Sequence, residues 1–143
     1  MESSADYILF DANIWIAYFN KTEITSNQAK AKITQALSQD KIILVSDYII
    51  QEVMTVLLYQ NQHNVIEQFL KFIQKHKKIF LIGIDTYFFQ SIIDFIQTQR
   101  YIPKISLTDW SLVFLASKFD FTLITFDKQL NNFYKRLTKQ ISR

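Results

Sequence analysis

Four stretches of the chain each set a carboxylate beside an apolar run: YILF-Asp11-Ala-Asn13, DYIIQ-Glu52-VMTVLL, SLT-Asp109-WSLVFLA and LITF-Asp127-KQL. Asp11 and Asp127 follow strand-like runs and open helix-like ones. Ligands of an open parallel sheet bind beyond the carboxyl ends of its strands, where side chains distant in sequence can converge. Three or four carboxylates gathered at such an edge repel one another too strongly to stay ionised without a cation. A donor set made only of oxygen suits magnesium or manganese. The chemistry that such a cluster serves is metal-dependent hydrolysis of phosphodiesters.

Each acid also has a plainer reading. Asp11, Asp47, Asp85 and Asp127 all stand where a strand gives way to a helix, and aspartate is a preferred N-cap. Capping alone accounts for any one of them, and it is the role assigned to Asp47 and Asp85. Ser106-Leu-Thr-Asp109 matches the capping-box pattern. Glu52 weighs more. Its helical neighbours Tyr48, Ile49, Thr55 and Val56 make a largely apolar surround. A charge facing a core is rare unless it is paired or holds a metal, the alternative being a boundary residue whose head group reaches water. Asn13 lies two residues after Asp11, and Thr125 two before Asp127. Both can hydrogen-bond a carboxylate or a metal-bound water, and both also suit a cap or a strand edge.

The composition excludes most other chemistries. There is no cysteine, so no thiolate zinc site, cysteine nucleophile or disulfide exists. Gly83 and Pro103 are the only residues of their types, which rules out a glycine-rich phosphate loop. His63 and His76 cannot supply an HExxH pair, and no serine sits in a GxSxG elbow. The net charge of +3 is compatible with a nucleic-acid partner without demonstrating one. Lys71, Lys75, Lys77 and Lys78 cluster around His76, and Lys135, Arg136, Lys139 and Arg143 at the tail. Either group could contact phosphates, although a solvated face explains each more simply. The acidic start MESSADYILF lacks the basic opening and long apolar core of a signal peptide, and no apolar run reaches the length of a membrane span. The expectation is a cytoplasmic protein forming one domain over residues 1–143.

The elements that must position these acids read as alternating strands and helices. Strands are expected at 7–10, 42–45, 79–84 and 122–125. Helices are expected at 13–20, 26–39, 47–60, 64–77, 86–98 and 108–118, with a short amphipathic tail helix from 128. The segment RYIPKIS around Pro103 is the best loop. Strands separated by helices imply parallel crossovers and a three-layer α/β/α sandwich with a mostly parallel central sheet. The strands are continuous apolar runs, as expected where both faces are covered. The first helix is apolar nearly all round and should be covered on two sides.

At these residues the sequence resembles the PIN-domain family and, within it, the VapC-type toxins of bacterial toxin–antitoxin pairs. The order matches: Asp11 after the first strand, Glu52 in a central helix, Asp109 opening a later helix, and Thr125-Phe-Asp127 after the next strand. The likeness spans residues 7 to about 134. It implies a ribonuclease whose Asp11, Glu52, Asp109 and Asp127 bind magnesium or manganese, with Asn13, Thr125, Ser106 and Thr108 as supporting polar groups. It further implies RNA cleavage by metal-activated water, leaving 5′-phosphate and 3′-hydroxyl ends. A homodimer is implied, as is an antitoxin lying across the first helix. The surplus of apolar residues in 14–19 and 48–58 agrees with such partners. The sequence departs from the family pattern in Trp110 and Phe114, where many relatives carry smaller residues, and in residues 135–143, which leave the strand count open. A catalytically silent PIN-like module that binds RNA or protein, and a structure-specific DNA nuclease, are the alternatives.

Overall fold

The computed structural model describes residues 6–141. Four strands, β1 (Tyr7–Phe10), β2 (Ile42–Ser46), β3 (Ile79–Ile82) and β4 (Thr122–Ile124), form one all-parallel sheet in the order β3-β2-β1-β4. The helices are α1 (Ala12–Phe19), α2 (Ser26–Ser38), α3 (Asp47–Tyr59), α4 (His63–Lys75), α5 (Thr86–Gln97), α6 (Leu107–Phe119) and α7 (Lys128–Ile141). Helices α1 to α4 pack on one another, and α5, α6 and α7 form a second group. The architecture is the expected α/β/α sandwich. The segment left open at the tail is helical as far as Ile141, so the described sheet has four strands. Among the described residues no helix is long and apolar enough to cross a membrane.

Local sequence explains the element boundaries. Ser46 accepts from the Ile49 N–H and caps α3, and Asp85 accepts from the Phe88 N–H and caps α5. With one glycine in the chain, the left-handed turns after α2, α3 and α6 fall to Asp40, Asn61 and Asp120, at φ 59°, 54° and 59°. Asp and Asn tolerate this region better than other non-glycine residues. Helix α6 is buried from Trp110 through Ala116, which makes it the central helix of its layer. Trp110 and Phe114, the two bulky departures, fill this core against Phe95 and Phe133.

Two expectations about apolar surface need correction. The aromatic surplus of α1 is used internally: Trp15 is fully buried against Phe69, and Tyr18 and Phe19 pack on Phe72. That helix is covered, as expected of its all-round apolarity, and offers little free apolar surface to a partner. Conversely, β3 is not covered on both faces. Phe80 and Leu81 are 51% and 58% exposed, because β3 is the sheet edge and the α5 that follows it packs chiefly on α6.

Candidate active site

The strand order fixes where a site can form. From β1 the chain steps outward to β2 and β3, then returns to lay β4 on the other side of β1. The point where the strand order reverses leaves a crevice at the carboxyl ends of β1 and β4. Asp11 directly follows β1, and its N–H donates to the Ile124 carbonyl at 3.0 Å, extending the ladder by one residue. Thr125 directly follows β4, with Asp127 two residues on.

Three side chains lock this crevice. Thr125 Oγ1 donates to Asp11 Oδ2 at 2.7 Å and accepts from Asn13 Nδ2 at 3.2 Å and from the Asp127 N–H at 3.0 Å. Asn13 Oδ1 in turn accepts from the Phe126 N–H at 3.3 Å. Asn13 and Thr125, singled out as supporting groups, thus tie the ends of two neighbouring strands together. Asp11 Oδ1 takes the Ala12 N–H at 2.7 Å, and Asp127 Oδ1 the Leu130 N–H at 3.2 Å. Both acids therefore cap their helices while facing the crevice, so the two readings of these positions are compatible.

Asp109 does the same on α6. Ser106 Oγ accepts from the Asp109 N–H at 3.1 Å, and Asp109 Oδ2 accepts from the Ser106 N–H at 3.3 Å, a complete capping box. Glu52 reaches in from α3. Its helix buries Ile49, Val53 and Leu57, whereas Glu52 is half-buried on the flank. The face it belongs to is a cleft wall and not core, which corrects the apolar surround read from its neighbours.

The four carboxylates act on one another. Burial raises Asp11 to about 6, against the Thr125 hydrogen bond, which lowers it; the charges of Asp109 and Asp127 raise it further. Burial raises Glu52 too, helped by Asp11 and Asp109. Asp109 is raised first by desolvation and is held back by its bonds to Ser106, with Asp127 adding repulsion. Neither Asp47 nor Asp85 figures among these charges. Asp47 is the first residue of α3 and not its cap, and its carboxylate accepts from the Ile84 N–H at 3.1 and 3.2 Å, pinning α3 to the end of β3.

This donor set fits a divalent cation. Glu52 Oε2 is buried with no hydrogen-bond partner, an unusual state for a carboxylate oxygen that a cation would relieve. The like charges around Asp11 favour the same partner. Among the described residues no three acidic or histidine side chains already stand as closely as the ligands of one ion. The fit therefore rests on the donor chemistry and on the orphaned Glu52 oxygen.

Beside the acids runs a cleft of about 670 Å³ between α3 and the start of α6. Tyr48, Gln51, Thr55 and Tyr59 line it with Glu52, and Ser106, Leu107 and Thr108 form the facing wall. Ser106 and Thr108 were expected near the site; Gln51 and Tyr59 were not. Their signal was the spacing 48, 51, 52, 55, 59, one face of a helix. Tyr59 is 86% exposed. Of the basic residues, Lys78 pairs with Asp40 at 3.3 Å, and Arg143 lies outside the described residues.

A family model described as the PIN domain matches residues 8–136. No curated protein matches by sequence. Among solved structures, the chain is similar to Mycobacterium tuberculosis VapC20, described as a sarcin–ricin loop cleaving toxin. That match has 15% identity and a TM-score of 0.70 and covers 87% of this chain and 93% of the other. A second similar structure is VapBC2 from Rickettsia felis bound to a DNA fragment from its promoter. There the identity is 13% and the TM-score 0.60, with 88% and 92% of the two chains covered.

Proposed function

The chain belongs to the PIN-domain family, and on that premise we propose that it is a metal-dependent endoribonuclease, the toxin of a toxin–antitoxin pair. The observation that carries this reading is the mutual charge repulsion of Asp11, Glu52 and Asp109, with Asp127 acting on two of them, beside an open cleft that Glu52 lines. A module that only binds has no need to hold like charges together at a cost in stability. RNA is favoured over DNA by the likeness to a toxin described as cleaving the sarcin–ricin loop. An antitoxin is favoured by the likeness to VapBC2.

In this reading Asp11, Glu52, Asp109 and Asp127 hold magnesium or manganese. Such an ion, when bound, lowers the pKa of coordinated water and offsets charge building on a phosphate. The chain's own groups do the positioning. Thr125 fixes the Asp11 carboxylate through the 2.7 Å bond, and Ser106 fixes Asp109. The cleft along α3 receives the RNA, with the rings of Tyr48 and Tyr59 as surfaces for unpaired bases. An antitoxin segment inhibits by occupying the same cleft. The exposed β3 edge, Phe80 and Leu81, is the surface for homodimer formation.

The test is cleavage of cellular RNA by the purified protein with magnesium or manganese, alongside single-stranded and duplex DNA. Cleavage of RNA alone, with 5′-phosphate products and no cutting in the Asp11→Asn protein, is the expected outcome. RNA cutting that persists in excess EDTA would overturn the mechanism. Binding of RNA without any cutting would leave a silent PIN-like module in its place.

A further inference from the structure

A second cleft, of about 300 Å³, opens between the segment after α5 and helix α7. Arg100 and Tyr101 form one wall, and Phe133 and Arg136 the other. No carboxylate lines it. Among the described residues neither arginine has an ion-pair partner, since the ion pairs there are Lys41–Asp6 and Lys78–Asp40. Two exposed guanidinium groups thus line one recess with no carboxylate opposite them, an arrangement suited to an anion. Tyr101 is 56% exposed, and the Arg136 guanidinium lies 5.2 Å from its ring centre. The recess thus offers a partly exposed aromatic ring with a guanidinium over one face.

Its place in the fold links it to the carboxylates. Lys128, Asn132 and Arg136 recur every fourth residue on α7, so they form one stripe down an exposed face. The stripe starts beside Asp127 and reaches the recess roughly 14 Å further along the helix axis. That span corresponds to about four stacked nucleotides or fewer extended ones. The buried face of α7, Leu130, Phe133 and Leu137, holds the stripe outward. Trp110, next to Asp109, packs on Phe133, so one aromatic contact separates the recess from the α6 end of the site.

We propose that this recess is a second subsite for single-stranded RNA, in which Arg100 and Arg136 hold a backbone phosphate and Tyr101 stacks on the attached base. The inference rests on the ribonuclease reading for the position of the strand, but its chemistry does not require cleavage. Aromatic stacking with flanking cations is how proteins grip single strands irrespective of sequence. The subsite therefore sets substrate length and affinity, while the carboxylates set reactivity.

The test measures binding of a fluorescein-labelled oligoadenylate in EDTA, where nothing is cut, to the wild type and to four variants. The double variant Arg100→Gln/Arg136→Gln is expected to bind roughly tenfold more weakly, with a salt slope shallower by about 0.7 for the one phosphate no longer held. Tyr101→Ala, whose loss is of stacking, should bind roughly tenfold more weakly with the slope unchanged. Lys75→Gln/Lys77→Gln at the end of α4 should bind as the wild type does. Circular dichroism spectra confirm that each variant is folded, and Arg136→Lys, which keeps the charge, should retain most of the affinity. Equal losses from the α4 pair would mean diffuse electrostatics and overturn the proposal. So would an oligoglutamate that binds as tightly as the RNA and is lost with the same arginines, which would assign the recess to an acidic protein segment. If the wild type cuts no RNA while the arginine and tyrosine variants still lose binding, the ribonuclease reading fails and this subsite stands. If the wild type cuts RNA and those variants bind and cut as it does, the reverse holds.

Discussion

Thr125 Oγ1 lies 2.7 Å from Asp11 Oδ2 although 114 residues of chain separate them. This contact joins the ends of β1 and β4 and orients the most deeply buried of the four acids. Thr125→Val keeps the shape and removes the hydroxyl, leaving Asp11, Asn13 Nδ2 and the Asp127 N–H each short of a partner. The expected loss of stability is about 1–3 kcal/mol. Because this bond lowers the Asp11 pKa, its removal should move the Asp11 titration to higher pH in metal-free protein, as read by carboxyl NMR. An unmoved titration would show that the threonine does not position the acid.

Asp11 should also make stability depend on pH. Its carboxyl is raised from 3.8 to about 6 on folding, so between these values the folded state binds more protons than the unfolded one. Stability from this group is greatest below the unfolded value and falls as pH rises through the folded one. The difference amounts to roughly 3 kcal/mol above pH 6. Asp11→Asn should therefore be more stable than the wild type at pH 7.5 without metal, with most of that advantage gone near pH 4. Urea denaturation at both pH values measures this; an advantage independent of pH would refute the electrostatic account.

Divalent metal should reverse the penalty. At a magnesium or manganese concentration a hundredfold above the dissociation constant, binding to the folded state adds about 2.7 kcal/mol. Differential scanning calorimetry should show a rise of several degrees in the wild type and little in Asp11→Asn or Asp109→Asn. Equal rises in all three proteins would place the ion elsewhere.

Asp47 and Asp85 serve as contrasts. Asp47→Ala removes the bond to the Ile84 N–H, and Asp85→Ala the cap of α5. Each should cost about 1 kcal/mol of stability. RNA cleavage per folded molecule should stay within about twofold of the wild type, since neither charge acts on the cluster. A large loss of cleavage in either variant would enlarge the site beyond the four acids.

The helices and strands were legible to within a few residues because apolar periodicity, Ser46, Asp85 and the Ser106–Asp109 box are local signals. What failed was long-range. IFLI reads as a covered strand, yet its edge position exposes Phe80 and Leu81, and edge position depends on topology. The aromatics of α1 looked like surplus because Phe69 and Phe72, which absorb them, lie some fifty residues away. At the site, the acids and Asn13 and Thr125 could be named from their places at strand ends. Their hydrogen bonds could not, because these need the pairing of β1 with β4. Arg136 was legible as part of the basic tail, but its meeting with Arg100 and Tyr101 was not, as the two walls come from segments without a shared motif.

The pairing of Phe10 with Ile124 has a consequence for the order of events during synthesis. β1, β2 and β3 lie within residues 7–82, so three strands can pair before α6 exists. Asp109 and Asp127 arrive later, and β4 must then close the longest loop in the fold, the slowest kind of contact to form. A nascent chain made only as far as β3 carries Asp11 and Glu52 without Asp109 or Asp127. A substitution that slows docking of β4, such as one at Leu123, would delay the onset of activity without touching any acid.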